Sequence, residues 1–272
     1  MNQKGWELEK LLTRVVLLEG VDVDDPFELH DFFKRHAFEE EERDITFRNP
    51  GYISLMGSTM SGKTRFLVEV IKQKDKMIRC EKGKIVETHY FYKSDWQKIF
   101  DDLEKRGVIF HHEYPYYEKL KTITEDAQPR IVVIDDFMAD IYQDPKMIDF
   151  LSQMVHHHNL LVFVTQQALF PISPSAVSLR SQCTGMVLFN FSTENVQVRQ
   201  MLAKFTGFAH NSAGLRALMH YYKDKTAKRG GYLFINLHQD SPANMKFSSH
   251  IRPDEGPTEV FRLDGFRETG GS

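Results

Sequence analysis

The sequence has only two cysteines, Cys80 and Cys183, and their separation is not that of a pair of metal ligands. Both are expected to be reduced thiols, as is usual in cytosolic or nuclear proteins. No apolar run approaches the roughly 20 residues that a membrane-spanning helix needs, and residues 1–20 lack a signal-peptide core. The sequence therefore predicts a soluble intracellular protein with no membrane partner.

An excess of basic charge is also lacking. The formal net charge is −3 at pH 7, which excludes a histone-like grip on nucleic acid but allows a local basic channel. Hydrophobic residues make up 41% and charged residues 27% of the 272 positions, so a sizeable core is available. This length suits one large domain, or one domain with a small appendage.

Residues 1–44 differ in pattern from the rest of the chain. Amphipathic helices are predicted from Trp6 onward and again after residues 25–26, an Asp-Pro helix-start signal. The acidic run 39–42 follows, as a solvated helix end or linker, or as a docking surface for a basic partner. We predict a helical appendage over residues 1–44 and a second, larger domain over residues 45–272.

From residue 45 onward, short apolar runs alternate with helical stretches. Strands are predicted at 52–56, 88–92, 107–110, 130–134, 160–164 and 186–189, and helices at 64–73 and from Pro145. The run 231–235 is predicted as a late antiparallel strand at the edge. Unbroken β-branched runs are typical of strands buried on both faces. The alternation predicts an α/β fold, a mostly parallel sheet with helices on both faces.

A glycine-containing loop follows the first of these strands. It consists of Gly57, Ser58, Thr59, Met60, Ser61, Gly62, Lys63 and Thr64, which is a complete Walker A motif between a strand and a helix. Backbone N–H groups of such a loop cradle phosphate oxygens, helped by the helix N-terminus. Lys63 is expected to reach the β- and γ-phosphates of ATP, and the Thr64 hydroxyl to ligate Mg²⁺.

Polar residues end two further apolar strands. Asp135 and Asp136 follow 131–134 in the Walker B pattern, so Asp135 is expected to hold Mg²⁺ and Asp136 to polarise the attacking water. Gln166, at the end of the strand predicted at 160–164, is our choice for sensing the γ-phosphate. A shift of one residue in register would give that role to Gln167.

Arg180 precedes the strand 186–189. An arginine at this place can stabilise transition-state charge in a neighbouring subunit, as arginine fingers do, or it can pair with a local carboxylate. Two stretches, 72–84 and 223–229, are locally basic and are either solvated faces or contacts for a phosphate backbone.

The order of the motifs GSTMSGKT, IVVIDD, VTQQALF, LRSQCTGMVLF and YKDKTAKRGGYLFINL resembles the poxvirus-type and Polinton (Maverick) genome-packaging ATPases of the FtsK–HerA class. The resemblance covers roughly residues 45–263 and does not extend to residues 1–44. It implies a RecA-like fold assembled into a ring of six subunits that moves double-stranded DNA into a capsid. A capsid or portal-vertex partner and a location in the host nucleus or a cytoplasmic virus factory are also implied.

Two other classes of protein share the P-loop. A small-molecule kinase would need a lid with paired arginines, and no clear R-x-x-R segment is present. A nucleotide-dependent switch of the GTPase type would carry N-K-x-D, which is also absent. Stimulation of ATP hydrolysis by double-stranded DNA would separate the motor from both.

Overall fold

The computed structural model describes residues 38–41, 47–93, 97–169, 179, 181–191, 195–207, 213–241 and 246–261. The two helices predicted before residue 38, and Arg180, lie outside these ranges. None of the described helices combines the length and the apolar character that crossing a membrane would require.

A ten-stranded sheet runs through the described fold. Its strands, in the order in which they pair, are β1 (Phe38–Glu41), β12 (Thr258–Phe261), β11 (Phe247–Ser249), β10 (Tyr232–Asn236), β9 (Gly185–Phe189), β3 (Gly51–Met56), β8 (Leu160–Gln166), β7 (Arg130–Asp135), β5 (Glu87–Tyr92) and β6 (Val108–His111). The strands from β9 to β6 are mutually parallel, and the other four join antiparallel. A small parallel pair is formed by β2 (Phe47–Asn49) and β4 (Ile78–Cys80).

Helices cover both faces of this sheet. They are α1 (Lys63–Lys72), α2 (Lys74–Met77), α3 (Gln97–Glu104), α4 (Tyr117–Ile123), α5 (Met138–Ile141), α6 (Pro145–Asp149), a π-helical turn (Phe150–Met154), α7 (Val155–His157), α8 (Asn195–Thr206) and α9 (Ala213–Thr226). Successive residues of a strand point to opposite faces, so Leu55 packs in the apolar cluster that contains Phe66 of α1, and Met56 in the cluster that contains Leu151. The α/β class, with a mostly parallel sheet and helices on both faces, is confirmed.

The strand predicted at 231–235 is antiparallel, but it is not at the edge. Beyond β10 lie β11, β12 and β1. β11 and β12 have three and four residues, too few for a periodic pattern to stand out from the polar residues around them.

The acidic run 39–42 is neither a helix end nor a linker over the part that is described. Residues 38–41 form the edge strand β1, which pairs with β12 through Phe38 and Phe261 at one end of the register. Charged residues are common on edge strands, because they discourage pairing with further chains. The pairing joins these four residues to the main sheet, and the division of the chain at residue 44 stays a prediction.

Candidate nucleotide-binding site

The glycine-containing loop lies at the carboxyl ends of the central strands. It connects β3 to α1, and its first two N–H groups are held by neighbouring strand ends: Gly57 donates to the Gln166 carbonyl and Ser58 to the Asn190 carbonyl, both at 3.2 Å. A Cβ on Gly57 would come within 2.6 Å of Phe189 Cβ and of Ser61 Oγ. Glycine is therefore required for the close packing at the start of the loop.

The Lys63 side chain is folded into this loop. Its ammonium group donates to the Gly57 carbonyl at 2.8 Å and to the Ser58 carbonyl at 3.0 Å. Burial lowers the pKa of Lys63, while Asp136 and Asp135 act in the opposite direction. The nearby carboxylates favour the charged form, which is the form that can bind phosphate.

Asp135 is a buried carboxylate that accepts three hydroxyl hydrogen bonds. Thr64 and Tyr90 donate to Oδ2 at 2.9 and 2.8 Å, and Thr165 donates to Oδ1 at 2.7 Å. Burial raises the pKa of Asp135, and the three hydroxyl groups oppose that rise. The Thr64 contact joins the Walker A and Walker B motifs. Tyr90 belongs to no motif, and Thr165 lies in the VTQQALF motif, where only the glutamines were given a role.

The donor set fits Mg²⁺. A threonine hydroxyl beside a carboxylate is the oxygen chemistry that Mg²⁺ prefers, and this ion commonly shares a few protein oxygens with substrate phosphates and water. The described residues contain no group of three or more histidine, cysteine or acidic side chains that could hold a metal ion alone. Thr64 and Asp135 are thus suited to a metal ion that arrives with a nucleotide.

Asp136 differs from its neighbour in both conformation and direction. Its backbone is left-handed, with φ of 70°, and its N–H donates to Thr165 Oγ1 at 2.9 Å. Its carboxylate is exposed and accepts from Gln167 Nε2 at 3.1 Å. Thr165 therefore contacts both acids, of which Asp135 is buried and Asp136 is exposed.

Gln166 was our choice for the residue beside the nucleotide, but Gln167 is the glutamine that lines the cavity. Gln166 is buried, accepting from the Tyr142 hydroxyl at 2.8 Å and donating to Ser54 Oγ at 2.9 Å. Gln167 is exposed, and in addition to Asp136 it contacts the Thr59 hydroxyl at 3.1 Å. The structure places Gln167, rather than Gln166, among the loop and the acids. The reason is the length of β8, which continues to residue 166 and is buried over all seven of its residues, so that Gln167 is the first exposed side chain after the strand.

These groups surround one cavity of about 700 Å³. Its wall includes Thr59, Met60, Ser61, Gly62, Lys63, Thr64, Asp135, Asp136, Gln167, Arg229 and Gly230. Gly57 and Ser58 are not part of this wall, but their N–H groups bond the start of the loop to the Gln166 and Asn190 carbonyls. Arg180 lies outside the described residues. Arg229 and Gly230 were not expected here: the basic run 223–229 suggested only a solvated face or a DNA contact.

No protein-family model matches the chain, and no curated protein sequence does. Among solved structures, it is similar to the genome packaging NTPase B204 from Sulfolobus turreted icosahedral virus 2 in complex with ATP-gammaS, with 17% identity, a TM-score of 0.43, and coverage of 71% of this chain and 95% of the other. It is also similar to ATPases 2 and 3 of EssC from Geobacillus thermodenitrificans, with 12% identity, a TM-score of 0.40, and coverage of 55% and 34%. A third is the RadB recombinase, with 14% identity, a TM-score of 0.35, and coverage of 52% and 75%. At these identities and TM-scores, the three similarities support no inference about function.

Proposed function

We propose that this chain is a Mg²⁺-dependent ATPase that moves double-stranded DNA into a viral or virus-like capsid. The ATPase part is carried by one observation, the hydrogen bond from Thr64 to Asp135 at 2.9 Å. It joins a phosphate-binding loop to an acidic strand end beside a cavity that also contains Lys63 and Asp136. These are the groups that phosphoryl transfer needs for binding phosphate, holding the metal ion and activating water.

Each side chain has a distinct role in this proposal. Lys63 would leave the Gly57 and Ser58 carbonyls and bind the β- and γ-phosphates of ATP. Thr64 and Asp135 would hold Mg²⁺, which supplies neutralisation of phosphate charge when bound. Asp136 would accept a proton from the attacking water. Gln167, which already contacts Asp136, would orient that water.

The motor part of the proposal is supported by the order of motifs along the sequence. That order favours a ring, with six subunits, in which Arg180 acts on the nucleotide of the next subunit. The segment after α1 also exposes Lys76, Arg79, Lys82 and Lys84, accompanied by Asp75 and Glu81. A surface with this excess of positive charge suits a phosphate backbone.

The test is ATP hydrolysis measured with and without double-stranded DNA, alongside the mass of the protein in solution. We expect a DNA-dependent increase in turnover by an oligomer, and no turnover by Lys63→Ala under either condition. Slow hydrolysis that ignores DNA would instead indicate a nucleotide switch. Phosphate transfer to a small acceptor would indicate a kinase.

A further inference from the structure

The loop after α9 packs directly against the phosphate-binding loop. Gly230 N–H donates to the Ser61 carbonyl at 3.0 Å. A Cβ on Gly62 would come within 2.7 Å of Gly230 Cα. Two glycines therefore allow the two backbones to touch, and residue 229 is placed one position from this contact.

The loop is also fixed from the α9 side. Gly231 N–H donates to the Lys228 carbonyl at 2.9 Å, and a Cβ on Gly231 would lie 2.1 Å from the Lys225 carbonyl oxygen. Tyr222 in α9 donates to the Phe189 carbonyl at 2.9 Å, which ties the helix to the end of β9. The backbone at residue 229 is thus held by bonds on both sides.

Arg229 lines the same cavity as Lys63 and Asp136, and its side chain is exposed. Within the described ranges no carboxylate lies at ion-pair distance from it, although Lys225 in the same run is paired with Asp224 at 3.3 Å and with Glu259. An arginine with no acidic partner among the described residues, beside a phosphate-binding loop, is available for an anion.

We propose that Arg229 contacts the triphosphate of the nucleotide bound by its own chain. This inference rests on the nucleotide-binding part of the proposed function. A guanidinium group presents a rigid fork of donors that matches phosphate oxygens. It acts in cis, because the bond from Gly230 to Ser61 ties its loop to the same chain's phosphate-binding loop. This role differs from that of Arg180, which is inferred to act on the neighbouring subunit.

Binding of ATP to Arg229→Ala tests the contact. Charge-assisted hydrogen bonds contribute about 1.5–3 kcal/mol, so the dissociation constant should rise on the order of ten-fold or more. Arg229→Lys should recover part of the loss. Lys228→Ala is the matched control, because Lys228 is the exposed neighbour outside the cavity wall, and it should bind ATP as the wild type does.

Wild-type ATP binding by Arg229→Ala, in a preparation where Lys63→Ala fails to bind, would overturn the proposal. Loss of DNA stimulation alone, with ATP binding intact, would also overturn it and would assign Arg229 to DNA.

A mixture of Arg229→Ala and Lys63→Ala chains tests the cis assignment. Both substitutions damage the site of the chain that carries them, so mixing should restore no hydrolysis. Restored hydrolysis would show that Arg229 serves a neighbouring chain. The motor proposal can be contradicted independently of this assignment. If the wild type binds ATP but its hydrolysis is not stimulated by DNA, the motor proposal is wrong, whereas the assignment of Arg229 is unaffected.

Discussion

The hydroxyl of Thr64 donates to Asp135 Oδ2 at 2.9 Å, although 71 residues separate them along the chain. The same oxygen accepts from Tyr90 in β5, and the other oxygen accepts from Thr165 in β8. Hydroxyl groups from three elements thus hold the acid at the end of β7. Such an arrangement positions the carboxylate before any ligand arrives, so little reorganisation is needed on binding.

Substituting the two neighbouring acids should give different results. Asp136→Asn should bind ATP and unfold at the wild-type temperature, while turnover falls by about 10²–10⁴, the usual contribution of a general base. Asp135→Asn should be less stable by about 1–3 kcal/mol, because it disturbs the pairing of buried hydroxyl groups. Thermal unfolding and ATP turnover measure both effects. Hydrolysis at the wild-type rate by Asp136→Asn would remove its assignment as the base.

Substituting the two glutamines separates the residue proposed to orient the attacking water from a buried structural residue. Gln167→Ala should lower turnover and change the free energy of unfolding by no more than about 0.5 kcal/mol, as at most surface positions. Gln166→Ala should cost about 1–3 kcal/mol of stability, because the Tyr142 and Ser54 hydroxyl groups lose their buried partner. The opposite pattern, with turnover lost only at Gln166, would return the sensor role to that residue.

Arg180 should make hydrolysis depend on assembly. If it acts across a subunit boundary, Arg180→Ala should bind ATP but turn over slowly, by a factor on the order of 10³ or more. Mixing it with Lys63→Ala should restore activity where an intact Lys63 site meets an intact Arg180. Activity per chain should also rise with protein concentration. Concentration-independent activity with no recovery in the mixture would exclude the trans role.

A pair of histidines at one side of the sheet should make stability depend on pH. His111 Nε2 lies 3.1 Å from His89 Nδ1, and His111 stacks on Phe91 at 4.4 Å. Burial, then Lys119 and His89, lower the pKa of His111 to about 4, and Glu113 opposes this. The folded-state pKa of His111 is below its ordinary value, so the unfolded chain takes up a proton there more readily than the folded chain does. The contribution of neutral His111 to stability is therefore complete above about pH 6.5 and is lost as the pH falls toward about 4.

Thermal unfolding across that interval measures the effect. His111→Phe can keep the stacking on Phe91 but cannot take up a proton, so its unfolding temperature should fall less steeply with acidification than that of the wild type. Burial and the charges of Arg130 and Lys119 lower the pKa of His89, while Glu87 opposes this. Part of the pH dependence of the unfolding temperature should therefore remain in His111→Phe. Identical slopes for the two proteins would contradict the assignment of the titration to His111.

The sequence predicts the parallel half of this fold well, because most of its strands have five to seven residues and are largely apolar. The start of the helix at Pro145 is also confirmed. Asp144 accepts from the N–H groups of Lys146 and Met147, which is an ordinary cap. The strands β1, β2, β4, β11 and β12 were missed since each has three or four residues and depends on its partner rather than on its own pattern.

The site was less predictable where it depends on the exact length of a strand or on contacts between distant segments. Whether Gln166 or Gln167 faces the cavity is decided by the two residues by which β8 exceeds its apolar run, and one residue reverses the side chain's direction. Arg229 lies in the site because β10 pairs with β9 and because Gly230 donates to the Ser61 carbonyl, and each contact is a pairing between distant segments. No local pattern around Arg229 reports that pairing.

The left-handed backbone of Asp136 also bears on how this protein could be altered. Aspartate tolerates such a conformation better than most residues, but glycine adopts it without steric cost. Asp136→Gly is therefore expected to gain stability while losing the carboxylate. A laboratory selection for heat resistance alone would enrich this inactive variant, so protein engineering of this chain has to select for turnover at the same time.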